Sequence, residues 1–188
     1  MSATWFVIRA SGIVAFVLLA ASVVWGLLLS TGLFGRAVKP KGLSYAHEAL
    51  AVGSLLATGT HMAFLTMDEF VPFTVPELLV PGLATWNPLA VALGVVAMWL
   101  MVVVTASFYV RRRIGQRTWR AIHYGSFGTF LAAALHGITA GTDTANPFML
   151  YVYAASFALV AGLVVLRIVG LPADRAARRG VAAGRGSV

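Results

Sequence analysis

Four histidines within two apolar segments are the residues of this chain best suited to chemistry. His47 and His61 lie on one segment, and His123 and His136 lie on the other. An ionisable side chain inside an apolar span is costly and usually marks a functional site. With a rise of about 1.5 Å per residue, each pair is separated by about 20 Å along its helix. The pattern predicts two bis-histidine sites at two depths.

The donor set favours haem over other metals. Two imidazoles are enough to hold one haem iron, whereas zinc takes three or four protein ligands, and only Glu48 is near as a carboxylate. We therefore expect two haem b groups, an inner one between His47 and His123 and an outer one between His61 and His136. Because the chain has no cysteine, it forms no covalent c-type attachment. The alternatives are a histidine-based proton relay, a small transporter without haem, an anchor subunit whose haems do not turn over, and structural histidines.

The composition predicts an all-α integral membrane bundle. Of the 188 residues, 60% are hydrophobic and 11% are charged, and the mean hydropathy is +0.87. Five apolar runs are long enough to cross a hydrocarbon core of about 30 Å, which predicts five transmembrane helices. They cover residues 9–30, 43–66, 88–109, 120–140 and 148–169.

The distribution of the +8 net charge predicts the orientation and removes the case for a nucleic-acid partner. Basic residues concentrate in the first and third connections and in the tail, and the second and fourth connections have none. By the positive-inside rule, the N-terminus is outside and the C-terminus is cytoplasmic. Spans two and four then run in the same direction, so their histidines pair by depth. The basic residues of the first connection, the third connection and the tail are Arg36, Lys39, Lys41, Arg111, Arg112, Arg113, Arg117, Arg120, Arg175, Arg178, Arg179 and Arg185.

Other residues are expected to support the cofactors. Arg9, near the outer end of span one, is a candidate partner for an outer-haem propionate, and Arg120 or Lys41 could serve the inner haem. Ser54 is seven residues from both His47 and His61 and shares their helix face. Phe130 and Phe127 are expected between the haems, either as part of the cofactor site or as ordinary core. The proline-rich second connection is expected to lie at the outer interface and cap the outer haem.

The interval of 13 residues in span four is less regular than the interval of 14 in span two. At about 100° per residue it leaves His123 and His136 about 140° apart in helical phase. Gly125 and Gly128 lie between them, where a kink or local rewinding could correct the phase.

Several motifs resemble the ferric-reductase-like transmembrane domain of ferric reductases, NADPH oxidases and the haem-binding membrane subunit of the periplasmic methionine sulfoxide reductase system. They are the two histidine intervals, the stretch from Thr105-Ala106-Ser107 through the basic Arg111–Gly115 turn to Trp119-Arg120-Ala121-Ile122-His123, and His136-Gly137 leading to Gly141-Thr142-Asp143. The resemblance covers most of residues 5–170. It implies a haem-binding domain over residues 1–171, followed by a basic Gly/Ala/Arg cytoplasmic tail over residues 172–188.

The resemblance implies a transmembrane cytochrome b that passes electrons outward as a component of an oxidoreductase. No G-x-G-x-x-G fingerprint is present, and flavin and nicotinamide modules are absent from the sequence. A cytoplasmic flavoprotein reductase or membrane quinol is therefore the expected donor. An extracytoplasmic redox protein, a ferric chelate or oxygen is the expected acceptor. The expected location is in membrane lipid, as a multi-pass protein of a bacterial plasma membrane.

The predicted orientation can be tested by labelling single cysteines in this cysteine-free chain. We expect Ser2→Cys to react with an impermeant maleimide in intact cells and Ser187→Cys to react only after permeabilisation, because the basic connections stay inside. Labelling of Ser187→Cys alone would reverse the topology.

Overall fold

The computed structural model describes residues 2–31 and 40–185, except for the side chains of Pro40, Lys41, Leu43 and residues 171–185. The described residues contain helices and no strand, in agreement with the predicted all-α class. The elements in chain order are α1 (Ala3–Thr31), α2 (Pro40–Leu65), α3 (Val75–Leu79), α4 (Pro88–His123), α5 (Gly125–Ala140) and α6 (Pro147–Arg185).

Four stretches of the described residues are long and apolar enough to cross a membrane, whereas the sequence predicted five spans. They are Ala3–Thr31, Ser44–Leu65, Pro88–Ala140 and Pro147–Gly170. The third stretch contains both the third and the fourth predicted span. It is interrupted at Gly115, whose backbone is not helical (φ 81°, ψ 156°). The stretch folds back on itself, because the His136 ring near its end contacts the backbone of Ala90 near its start.

Helix α1 occupies the centre of the bundle. It packs against α2, α5 and α6, while α4 packs mainly against α5. An aromatic cluster holds α1, α5 and α6 together: Phe16 stacks on Phe130 with ring centroids 6.1 Å apart and contacts Tyr153 at 4.9 Å. Phe157 adds an edge contact to Phe130 at 5.3 Å. These rings bury large apolar areas and fix three helices around one core.

The connection between α2 and α4 packs back onto the bundle. Phe73 and Leu78 are buried against Val91 and Val95 of α4. The indole of Trp99 donates a hydrogen bond to the Leu79 carbonyl at 2.8 Å, so the short helix α3 is attached to α4 by both polar and apolar contacts.

Glu77 organises the same connection. Its carboxylate accepts hydrogen bonds from the backbone N–H of Thr74 at 2.9 Å and of Thr85 at 3.2 Å. These hydrogen bonds hold the pKa of Glu77 below its usual range, and the bond from the Thr74 N–H has the largest effect. The ionised carboxylate therefore bridges the two sides of the connection.

The helix that carries His123 and His136 is irregular between them. Helix α4 ends at His123 and α5 begins at Gly125. The Phe127 N–H donates to the Tyr124 carbonyl three residues earlier at 3.2 Å. Such tighter winding advances the chain by about 120° per residue instead of 100°, which is the direction needed to bring the two histidines closer in phase.

Helix α6 does not end at the domain boundary predicted between residues 171 and 172. Its backbone continues as one helix to Arg185. The predicted tail residues 172–185 thus extend the last helix.

The break at Gly115 gives a test of the fold. Its φ and ψ lie in a region open essentially to glycine alone, so we expect Gly115→Ala to lower the free energy of unfolding by about 1–3 kcal/mol. Gly162→Ala is the matched control, because an added Cβ there meets nothing within 4 Å. Denaturant titration in detergent should separate the two variants. Equal free energies of unfolding for the two variants would contradict backbone strain at Gly115.

Candidate functional site

Two cavities of similar size lie along the bundle, and each contains one pair of histidines. His61 and His136 line a cavity of about 670 Å³, and His47 and His123 line a cavity of about 660 Å³. We call them the 61/136 cavity and the 47/123 cavity. Both volumes fall within the range of sites for small-molecule cofactors. The structure thus brings the histidines together in the pairs that the sequence predicted by depth.

The imidazoles of the 47/123 pair lie close to each other. The two imidazole centroids are 6.0 Å apart, and the ring planes are inclined by 72°. Metal–imidazole bonds are about 2 Å long, so this separation is of the size that two imidazoles on one metal atom would need.

Hydrogen bonds to backbone carbonyls fix three of the four imidazoles. The Nδ1 atom of His61 lies 2.9 Å from the Ile8 carbonyl, that of His136 lies 2.7 Å from Ala90, and that of His47 lies 3.0 Å from Ser22. A carbonyl accepts only, so Nδ1 carries the proton in each ring. Nε2 is then left with the lone pair that a metal needs.

The residue one turn after each of these carbonyls is a glycine in contact with the same ring. A Cβ added at Gly94 would lie 2.8 Å from His136, one at Gly26 would lie 3.1 Å from His47, and one at Gly12 would lie 3.2 Å from His61. We call each glycine and its carbonyl a ring seat. The three ring seats are Ile8/Gly12, Ser22/Gly26 and Ala90/Gly94.

His123 is held differently. Its Nδ1 atom is buried without a hydrogen-bond partner, and so is Nε1 of Trp119 one turn earlier. The two rings stack with centroids 5.0 Å apart and planes inclined by 27°. An aromatic face therefore supports this imidazole where the others have a carbonyl.

The layer between the cavities is tightly packed. Leu19, Met101 and Thr129 line both cavities. Ser54, predicted to share the helix face of His47 and His61, is only 1% exposed and donates to the Ala15 carbonyl at 2.9 Å. Its hydroxyl also lies 3.4 Å from the Met101 sulfur. Ser54 thus joins α1, α2 and α4 at the level that separates the two pairs of histidines.

The two phenylalanines named from the sequence lie in different places. Phe127 lines the 47/123 cavity. Phe130 is buried in the aromatic core against Phe16, and Phe16 lines the 61/136 cavity. Phe130 therefore stands behind the cavity wall.

Arg9 lies at the 61/136 cavity and pairs with an acidic residue. Its Nε atom donates to Asp143 Oδ2 at 2.7 Å, and its Nη2 atom contacts Oδ1. Both residues line the cavity. The ion pair links α1 to the connection between α5 and α6. The sequence had suggested Arg9 as a propionate partner without predicting this pairing.

The two cavities have different polar rims. Three arginines and one acid, Arg111, Arg120, Arg167 and Glu48, line the 47/123 cavity, whereas Asp68 and Asp143 accompany Arg9 at the 61/136 cavity. Lys41, the other residue suggested for an inner propionate, lies outside the described side chains. The side chain of Arg120, the other residue suggested, is described and lines the 47/123 cavity.

The ring seats were missed in the sequence, although a signal was present. Gly12 and Gly26 are separated by 14 residues, the same interval as His47 and His61. In helices that pack side by side, equal intervals on both helices indicate paired contacts.

The second connection, between α2 and α4, was expected to cap the outer haem. Three of its aromatic residues line the 61/136 cavity: Phe70, Phe73 and Trp86.

The donor geometry fits a pair of two-ligand metal sites. Within the described part of the chain, no cluster of three or more His, Cys, Asp or Glu side chains is arranged to hold a metal ion. A tetrahedral zinc site therefore lacks ligands here. Two neutral imidazoles at an apolar cavity suit a planar apolar cofactor that supplies its own equatorial ligands, as haem does.

Comparisons of the chain with protein-family models, with curated proteins and with solved structures found no match. The resemblance to ferric-reductase-like domains therefore depends on the histidine intervals and the short motifs alone.

The Arg9–Asp143 pair can be tested with a double-mutant cycle. We expect the effects of Arg9→Gln and Asp143→Asn on the free energy of unfolding to be non-additive, with each single variant less stable than the wild type, because either change leaves the other side chain without its partner. The wild type, both single variants and the double variant are compared in the absence of cofactor. Additive effects would mean that the pair contributes nothing to stability.

Proposed function

We propose that this chain is a transmembrane di-haem cytochrome b that carries electrons from a cytoplasmic donor to an extracytoplasmic acceptor. His47 and His123 would bind the inner haem, and His61 and His136 would bind the outer haem. The observation that carries the proposal is that three of these rings carry Nδ1 hydrogen bonds that leave Nε2 available as a ligand.

The proposal includes five membrane crossings with the N-terminus outside. It is supported by the fold-back of the Pro88–Ala140 stretch, in which Ala90 and His136 are neighbours. The charge pattern supports the orientation. The arginines of the 47/123 cavity would face the cytoplasm, and Asp68 and Asp143 would face outward.

Bound at the two histidine pairs, haem b supplies one-electron redox chemistry. The chain supplies ligands, orientation and an apolar environment. Met101 and Leu19 separate the cavities and exclude water between them. Arg9 would bind an outer propionate in competition with Asp143, and Arg120 would bind an inner one.

Electron supply depends on partners in this proposal. A flavoprotein reductase would dock on the exposed basic residues Arg111, Arg112, Arg113 and Arg117, or membrane quinol would deliver electrons directly. The acceptor would be a redox protein, a ferric chelate or oxygen.

A histidine proton relay is the competing function. A relay needs exchangeable groups along its whole path, and the layer between the cavities offers few. The hydroxyl of Thr129 donates to the Gly125 carbonyl at 3.1 Å, and that of Ser54 donates to Ala15. Both hydroxyls are tied to backbone, which favours electron transfer over proton transfer.

The test is the absorption spectrum of the purified protein before and after dithionite, with pyridine haemochrome quantitation. We expect a b-type α-band and about two haems per chain. Each single His→Ala variant should retain about one haem, because loss of one axial ligand breaks only its own pair. Thr60→Ala, an exposed change beside His61, is the control.

The pairing is read from redox titrations of the same variants. His47→Ala and His123→Ala should remove the same component, and His61→Ala and His136→Ala should remove the other. Removal of different components by His47→Ala and His123→Ala would refute the pairing. A wild-type protein that binds no haem would support the relay.

A further inference from the structure

The ring seats share one local geometry on two different helices. In an α-helix each N–H donates a hydrogen bond to the carbonyl four residues earlier, so each seat carbonyl already accepts one hydrogen bond from the N–H of its seat glycine. That carbonyl has a second lone pair. A side chain one turn later would lean over that carbonyl, and because glycine has none, the imidazole N–H can approach the carbonyl closely.

The spacing of two seats matches the spacing of the rings they hold. On α1, Ser22/Gly26 contacts His47 and Ile8/Gly12 contacts His61, so the two helices run antiparallel past each other. Both intervals are 14 residues. Because the helices have the same rise per residue, both contacts stay in register along about 21 Å of helix.

The fourth imidazole has no such seat. The interval of 13 residues between His123 and His136 would place the matching seat on α4 at Val103 and Ser107, and Ser107 carries a side chain at the glycine position. Ser107 is buried, and its hydroxyl donates to the Val104 carbonyl at 2.7 Å. His123 accordingly keeps an unpaired Nδ1 atom and stacks on Trp119.

We propose that Gly12, Gly26 and Gly94 are positioning residues that set the tautomer and orientation of His61, His47 and His136, and that His123 is the one imidazole the backbone does not fix. For haem binding, the inference rests on the proposed function. The inner haem would then have one imidazole that the backbone fixes and one that it does not, whereas the backbone would fix both imidazoles of the outer haem. The tautomer part of the proposal holds for the protein without cofactor as well.

The first experiment uses the cofactor-free full chain in detergent. Long-range ¹H–¹⁵N spectra of ¹⁵N-histidine-labelled protein, assigned with single His→Gln variants, report which ring nitrogen carries the proton. We expect the Nδ1–H form for His47, His61 and His136 and a mixture for His123. Gly94→Ala should shift only the His136 signals, because the added Cβ would lie 2.8 Å from that ring.

The second experiment measures haem retention and the low-spin EPR signals of the loaded variants. Gly94→Ala and Gly12→Ala should weaken the outer haem, and Gly26→Ala should weaken the inner haem, each by about 10-fold in retention. Gly59→Ala and Gly162→Ala are matched controls, because nothing lies within 4 Å of a Cβ at either position. Both controls should keep the wild-type signals.

The outcomes separate this inference from the proposed function. Shifted ring signals in the seat variants together with a wild type that binds no haem would support the seats and refute the cytochrome. Haem binding with unchanged ring and EPR signals in all three seat variants would refute the seats and support the cytochrome. Equal losses in seat and control variants would also refute the seats, since the effect would then come from general helix packing.

Discussion

The bundle depends on how it satisfies the polar ring nitrogens of histidines in an apolar interior. A buried N–H without a partner is costly where water is excluded. Ser22 and Ile8 on α1 and Ala90 on α4 provide carbonyls for three imidazoles. Each bond crosses between neighbouring helices. The same contacts that satisfy the rings therefore set the separation and register of α1 with α2 and of α4 with α5.

The cavities follow from this arrangement. Close contact between helices at the glycines leaves the opposite side of each ring next to open space, and the layer with Met101 and Thr129 divides that space in two. Aromatic packing of Phe16 against Tyr153 keeps α6 against the central helix and closes the back of the bundle. The aromatic core also forms part of the wall of the 61/136 cavity, since Phe16 and Tyr153 both line it.

The two ends of the bundle are chemically different, which suits vectorial transfer. At one end Arg9 is matched by Asp143, so its charge is balanced by the chain itself. At the other end three arginines and a single acid, Glu48, line the 47/123 cavity, and Glu48 accepts a hydrogen bond from Tyr109 at 2.7 Å. An anionic group or partner is therefore attracted more strongly to the 47/123 end.

The sequence by itself determined the helical class, the presence of long apolar stretches and the spacing of the histidines along their helices, because hydropathy and helical rise are local properties that do not depend on packing. It could not determine that Phe130 packs behind the cavity wall, that Arg9 pairs with Asp143, or that Gly12, Gly26 and Gly94 contact the imidazoles. Those facts depend on which helix faces which, and that is decided by tertiary packing. His123 shows the same limit: only the folded structure shows that its Nδ1 atom has no hydrogen-bond partner and that its ring stacks on Trp119.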